Sequence, residues 1–161
     1  MQPRTNYITP TGLAALKARY DFLLGKERPA IVEIVSWAAG NGDRSENGDY
    51  IYGRKRMREI DRELGHLARR MKWAKVIDPT LQSDHTRVWF GATVSIADED
   101  DNQRTLTLVG DDEQDGAQLV GWSAPIARAL RGAGIGDLRK VTLPGGEKEW
   151  EVVEITYPSS A

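Results

Sequence analysis

The sequence predicts an α+β protein: an N-terminal antiparallel α-helical coiled coil, then a mainly antiparallel β domain with one short helix. Three observations carry this. Met57, Ile60, Leu64, Leu67, Met71 and Ala74 recur at spacings of 3, 4, 3, 4 and 3, the heptad seam of a helix lying along another. A short polar turn containing Gly42 and Gly48 joins that helix to an earlier one, so the two must run antiparallel. From Val88 onward the period shortens to the alternation of strands.

Each element follows in order. Thr9 suits the cap of a first helix and Pro10 its first position. Leu13, Leu16, Tyr20 and Leu23 give it one apolar face. Pro29 lacks an N–H and crowds the preceding turn, which predicts a break or kink near Lys26–Arg28. Helix resumes with Ile31, Ile34, Val35 and Ala38 and ends at Gly40-Asn41-Gly42. The second helix is expected to run from Glu46 to Val76, about 45 Å at ~1.5 Å per residue. Such a pair is a projecting finger unless something packs along it. Asp78 to His85 reads as a linker. Strands are expected at Val88–Phe90, Ala92–Ile96, Thr105–Val109, Gln118–Trp122, Lys140–Leu143 and Trp150–Ile155. Acidic turns separate some of them, at Asp98–Asp101 and Asp111–Glu113. A short helix is expected at Pro125–Leu130 with Ser123 as its cap, and Pro144-Gly145-Gly146 marks a hairpin turn.

Composition narrows the function. In 161 residues, 40% are hydrophobic and 29% charged, which places the chain with globular rather than disordered or membrane proteins. No signal peptide or spanning segment is visible, and the absence of cysteine excludes thiolate metal sites and fits a cytoplasmic protein. Residues 1–77 carry 15 Lys+Arg against 9 Asp+Glu, a net +6; residues 78–161 carry 7 against 15, a net −8, together the −2 of the chain. The asymmetry points to two units with different partners, the first one touching nucleic acid or else basic for solubility alone. With Met57 on the seam, Lys55, Arg62 and Arg69 fall opposite it and Arg58 and Lys72 beside them, a basic stripe. Its plainer reading is a solvated face with intrahelical pairs, Arg58 with Asp61 or Arg62 with Glu59.

The turn between the helices, Gly42-Asp43-Arg44-Ser45-Glu46-Asn47-Gly48-Asp49-Tyr50, is the candidate site. Asp43 and Glu46 have the spacing of a capping box. A calcium loop starting at Asp43 fails, because Arg54 stands where its bidentate Glu belongs. The sharper reading makes both carboxylates hard ligands for Mg²⁺. Two carboxylates hold that ion poorly alone but could complete a site on a partner rich in carboxylates and phosphates. No G-x-S-x-G, P-loop or dinucleotide fingerprint appears.

These residues resemble a known family. Arg28-Pro29, Trp37-Ala38-Ala39, the run Gly42 to Asn47 with Asp49-Tyr50, and Arg54-Lys55-Arg56 with Arg58 to Arg62 are similar to the bacterial transcript cleavage factors GreA and GreB. So are Phe90-Gly91-Ala92, Val109-Gly110, Ser123-x-Pro125-x-Ala127 to Leu130, and Pro144-Gly145-Gly146. Trp37 and the basic run after Tyr50 look more like GreB. The resemblance implies a coiled-coil domain over 1–78 and an FKBP-like domain over 79–161. It implies an accessory factor, not an enzyme. Such a factor binds bacterial RNA polymerase, inserts the coiled coil into the secondary channel and stimulates the polymerase's hydrolysis of backtracked nascent RNA 3′ ends. By motif, Asp43 and Glu46 would help hold Mg²⁺ within the polymerase, with none bound by the isolated chain. Lys55, Arg58 and Arg62 would lie along the RNA, an attraction that salt weakens. Ser123, Pro125 and Arg128 would lie near the polymerase contact. A monomer without membrane involvement is expected. Gly48 and Gly53 depart from the helix formers expected there; each should cost about 1 kcal/mol and loosen the first turns. Two other readings stay open: a channel-binding inhibitor on the same scaffold, and a coiled coil that binds nucleic acid alone, which the acidic second half opposes.

Overall fold

In the computed structural model, which describes residues 5–40 and 47–159, the heptad seam builds a helical hairpin. Helix α1 spans Pro10–Phe22, α2 Arg28–Ala39 and α3 Gly48–Lys72. Thr9 Oγ1 accepts from Gly12 N at 3.0 Å, the cap read from the sequence. Between α1 and α2 the chain stays helical but widens to a π-turn over Leu23–Glu27, where Arg28 N donates to Leu23 O. Pro29 explains the widening. Its ring cannot fit under a regular preceding turn, and the wider turn relieves the clash without breaking the helix.

The seam buries Ile60 and Leu67 of α3 against Leu23 and Ile31, with Leu16, Tyr20, Val35, Met57, Leu64 and Met71 packed around them. Gly53 belongs to this seam. A Cβ there would stand 2.5 Å from Val35 Cγ2, so the glycine lets α2 and α3 approach closely. Beyond the expected loosening of the first turns, the missing side chain at this seam position is what admits Val35. Gly48 has nothing within 4 Å of its Cβ position.

The helix expected to reach Val76 stops at Lys72. Ala74–Val76 is instead a strand, β2, paired in parallel with β1, Asn6–Ile8. The compact units accordingly divide at Leu13 and Trp73: the helical unit lies between them, and the segment up to Gly12 joins the residues from Ala74 onward. The sequence reading grouped 1–78 instead. The acidic turn Asp111–Glu113, a 3₁₀ turn, fastens β1 to the second unit. Asp112 Oδ2 accepts from Asn6 Nδ2 at 2.8 Å. Glu113 accepts from Thr9 N at 3.1 Å, Gly110 N at 2.8 Å and Thr9 Oγ1. Gly12 leaves the space for that carboxylate, which a Cβ would strike at 2.3 Å.

The second unit holds a five-stranded sheet in the order β5-β4-β3-β7-β6. Its strands are β3 Thr93–Ala97, β4 Gln103–Val109, β5 Leu119–Gly121, β6 Leu138–Leu143 and β7 Gly146–Thr156. All neighbours pair antiparallel except β4 and β5. One short helix, α4, spans Pro125–Leu130. Alternation puts Val94, Ile96, Leu106, Leu108 and Val152 on the inner face against Ala127 and Leu130 of α4. A register shift between Ser95 and Ile96 lets Ile155 join Val152 inside although they are three apart. Pro144 and Gly145 form the loop between β6 and β7, as expected. Val88–Phe90 is not a strand of the sheet. Val88 is buried and bonded to the Gly132–Ala133 loop, its N donating to Ala133 O. The α+β class and the mainly antiparallel FKBP-like unit with one helix stand as read.

Candidate functional site

Asp43 and Glu46 lie outside the described residues, and so does Ser45. The first described residue after them, Asn47, is the cap of α3. Asn47 Oδ1 accepts from Tyr50 N at 3.2 Å, and its Nδ2 donates to Ala38 O at 2.8 Å. One amide thus caps α3 and ties it to the last turn of α2. The capping box read at Asp43 and Glu46 lies outside the described residues, and the cap position of α3 is held by Asn47.

The stripe on α3 depends on what the acids of the hairpin do. Asp61 meets Arg28 at 2.8 Å, Glu63 meets Arg19 at 2.7 Å, and Glu27 meets Arg56 at 2.7 Å, all between helices. Arg56 also reaches Glu59 at 3.1 Å. The hydrogen bonds from Arg28 and Arg19 hold the Asp61 and Glu63 carboxyls below the ordinary carboxylate range. The same bonds raise the guanidinium pKa values of Arg19 and Arg28 further above their ordinary value, and the bonds of Arg56 to Glu27 and Glu59 do so for Arg56. Among the described residues the intrahelical pairs of Arg58 with Asp61 and Arg62 with Glu59 are not seen; Asp61 pairs with Arg28 and Glu59 with Arg56 instead. Lys55, Arg58 and Arg62 are exposed and, among the described residues, make no ion pair. The sequence missed this because cross-helix pairing depends on register, which α2 and α3 fix only when Val35 meets Gly53.

The docking candidates lie on the second unit. Ser123, Pro125 and Arg128 are all exposed, at or near the start of α4. Ser123 is not the cap of that helix; Ala124 holds that position without a side-chain bond, and Ser123 N donates to Asp111 Oδ1 at 2.9 Å. Arg131, not singled out from the sequence, lies 4.0 Å from the centre of the Trp122 ring and donates to Trp122 O. Burial lowers its pKa. No helix among the described residues is long and apolar enough to cross a membrane.

Comparison with known proteins gives this arrangement a class. The family described as transcription elongation factor, N-terminal, matches residues 6–76, and the one described as transcription elongation factor, GreA/GreB, C-term, matches residues 83–157. A helical hairpin followed by a curled sheet is, in this chain, the build of a transcription elongation factor. Transcription elongation factor GreB of Neisseria meningitidis serogroup B is 50% identical over 153 residues, 94% of each chain. GreB of Yersinia pestis is 43% identical over 155 residues, covering 96% of this chain and 90% of that one. GreB of Pseudomonas aeruginosa is 44% identical over 155 residues, covering 96% and 92%. The chain belongs to the GreA/GreB family of transcription elongation factors.

Proposed function

We propose that this factor binds bacterial RNA polymerase, places the end of its hairpin in the secondary channel and stimulates hydrolysis of backtracked RNA 3′ ends. The observation that carries this is the division of charge on the hairpin. The acids of α3 that face α1 and α2 are consumed across the helices, and Lys55, Arg58 and Arg62 remain free to meet phosphates. Asn47 fills the cap of α3, so helix capping does not require Asp43 or Glu46.

Asp43 and Glu46 offer hard oxygen donors, which suit Mg²⁺, but two carboxylates fall short of its octahedral shell. They fit as a supplement to polymerase ligands. A Mg²⁺ held jointly there supplies positive charge for phosphodiester hydrolysis. The chain's own part is to bring the two carboxylates to it, to orient the attacking water, and to hold the strand through Lys55, Arg58 and Arg62. The second unit anchors the factor on the polymerase, with Ser123, Pro125 and Arg128 nearest the contact. The chain makes no bond and breaks none; it acts as an accessory.

The test is RNA cleavage in stalled, backtracked polymerase complexes with Mg²⁺. Native chain is compared with Asp43→Asn and Glu46→Gln after competition shows that all three bind. Cleavage that rises with the native chain and returns to the polymerase background with either variant supports the reading. A native chain that binds without raising cleavage is a channel blocker, and the reading fails.

A further inference from the structure

Two large aromatic side chains on the hairpin serve neither the seam nor the ion pairs. Trp37, two residues before the end of α2, is 64% exposed, and Tyr52, in the second turn of α3, is 58% exposed. Both lie on one side. The Glu27–Arg56 pair marks that side and the Arg28–Asp61 pair the other. Tyr52 stands one turn before Arg56. Ile34, two turns after Glu27 and 39% exposed, precedes Trp37 by three. Going the other way round α3, Tyr52 is three residues before Lys55, so the aromatic side borders the unpaired basic stripe.

Exposed rings gathered on one side of the hairpin, with Ile34 beside them, offer flat faces to an occupant. The charges beside them choose one. Exposed cations with no acid partner suit a polyanion, and flat rings beside them suit a polyanion that carries flat, unpaired bases. We propose that Trp37 and Tyr52 stack on unpaired nucleobases of single-stranded RNA while Lys55 and Arg58 hold its phosphates. This rests on the reading of the hairpin as an RNA-approaching element. It adds a base-contacting surface to what that reading treats as phosphate attraction alone. Stacking tolerates any base, since every base has a π-face.

The experiment uses the full chain and backtracked polymerase complexes in two forms, one with ordinary extruded 3′ nucleotides and one with abasic nucleotides at those positions. Displacement of a fluorescently labelled native chain reads binding independently of cleavage. Trp37→Ala and Tyr52→Ala should each weaken binding to the ordinary RNA about 5- to 150-fold, and Trp37→Phe should restore most of it. On abasic RNA the native chain should weaken, and the alanine variants should bind like it. Both side chains are exposed, so circular dichroism should show all variants folded. An alanine penalty of equal size on abasic RNA means the rings meet the polymerase and overturns the proposal. So does no penalty on either RNA. If base-dependent binding persists without cleavage, the cleavage reading fails and stacking stands. If cleavage is stimulated without base dependence, stacking alone fails. No binding to either complex overturns both.

Discussion

Gly53→Ala should destabilise the hairpin although alanine is the better helix former. In an open helix interior the exchange gains about 1 kcal/mol. Here the new Cβ would stand 2.5 Å from Val35 Cγ2 and 3.9 Å from Ile31 Cγ2. Val35 is β-branched and holds one χ1 well in a helix, so it cannot swing clear; the helices must separate or Val35 must leave its rotamer. Overpacking of this kind costs about 1–3 kcal/mol. The net is a loss of about 0–2 kcal/mol, centred near 1. For a helical unit of this size, about 1 kcal/mol lowers the midpoint by roughly 4–8 °C. The assay is thermal unfolding followed at 222 nm, where the helical unit dominates the signal. Gly48→Ala is the control, since nothing lies within 4 Å of its Cβ position; it should leave the midpoint unchanged or raise it. Adding Val35→Ala to Gly53→Ala should recover part of the loss, because the clash is removed. The reasoning is refuted if Gly53→Ala raises the midpoint as Gly48→Ala does, or if Val35→Ala and Gly53→Ala simply add.

Two further predictions concern the second unit. Glu113→Ala leaves Thr9 N and Gly110 N without their acceptor and should cost about 1–3 kcal/mol, read as a lower urea midpoint of Trp fluorescence; an unchanged midpoint would show that water replaces the carboxylate freely. Asp98 is pulled down to about 2, first by its hydrogen bond from Lys148 at 3.0 Å and also by bonds from Asn102 and Asp100. Its folded pKa lies below the unfolded value of about 3.9, so its stabilisation is full above that value and lost as pH falls through about 2. The urea midpoint should therefore drop between about pH 4 and 2, and Asp98→Asn should flatten that drop; parallel curves would remove Asp98 as the cause.

Much of the fold was legible in local pattern, and the rest depended on partners far away in sequence. The seam from Met57 to Met71, the cap at Thr9, the disturbance before Pro29 and the Pro144-Gly145 turn each follow from residues within one or two turns. Ala74 misled because it continues the heptad spacing, yet three backbone pairs with Asn6–Ile8 outweigh one more seam residue. The Asp111–Glu113 turn was legible only as an acidic turn between strands, because its donors, Asn6, Thr9 and Ser123, lie far from it in sequence or across a strand. At the candidate site the acidic motif was plain from sequence alone. Which residue caps α3 was not, since Asp43, Ser45 and Asn47 are all good caps. Asn47 fills that position and makes a second bond, Nδ2 donating to Ala38 O, which an ionised carboxylate has no proton to make.

The ion pairs of the hairpin matter less for their energy than for where they leave charge. Exposed pairs of this kind are each worth about 0.2–1 kcal/mol, so three of them are a minor part of what holds α1 and α2 to α3. Their effect is positional. Asp61 and Glu63 are drawn to Arg28 and Arg19 on the neighbouring helices, which takes from α3 two acids that would otherwise pair with Arg58 and Arg62. Gly53 enters the same logic from the packing side. Its missing Cβ lets Val35 of α2 approach α3, in the same packing in which Arg28 and Arg19 stand opposite their acids. The basic face is thus a consequence of helix packing, and a change in the core can alter the charge that the surface presents.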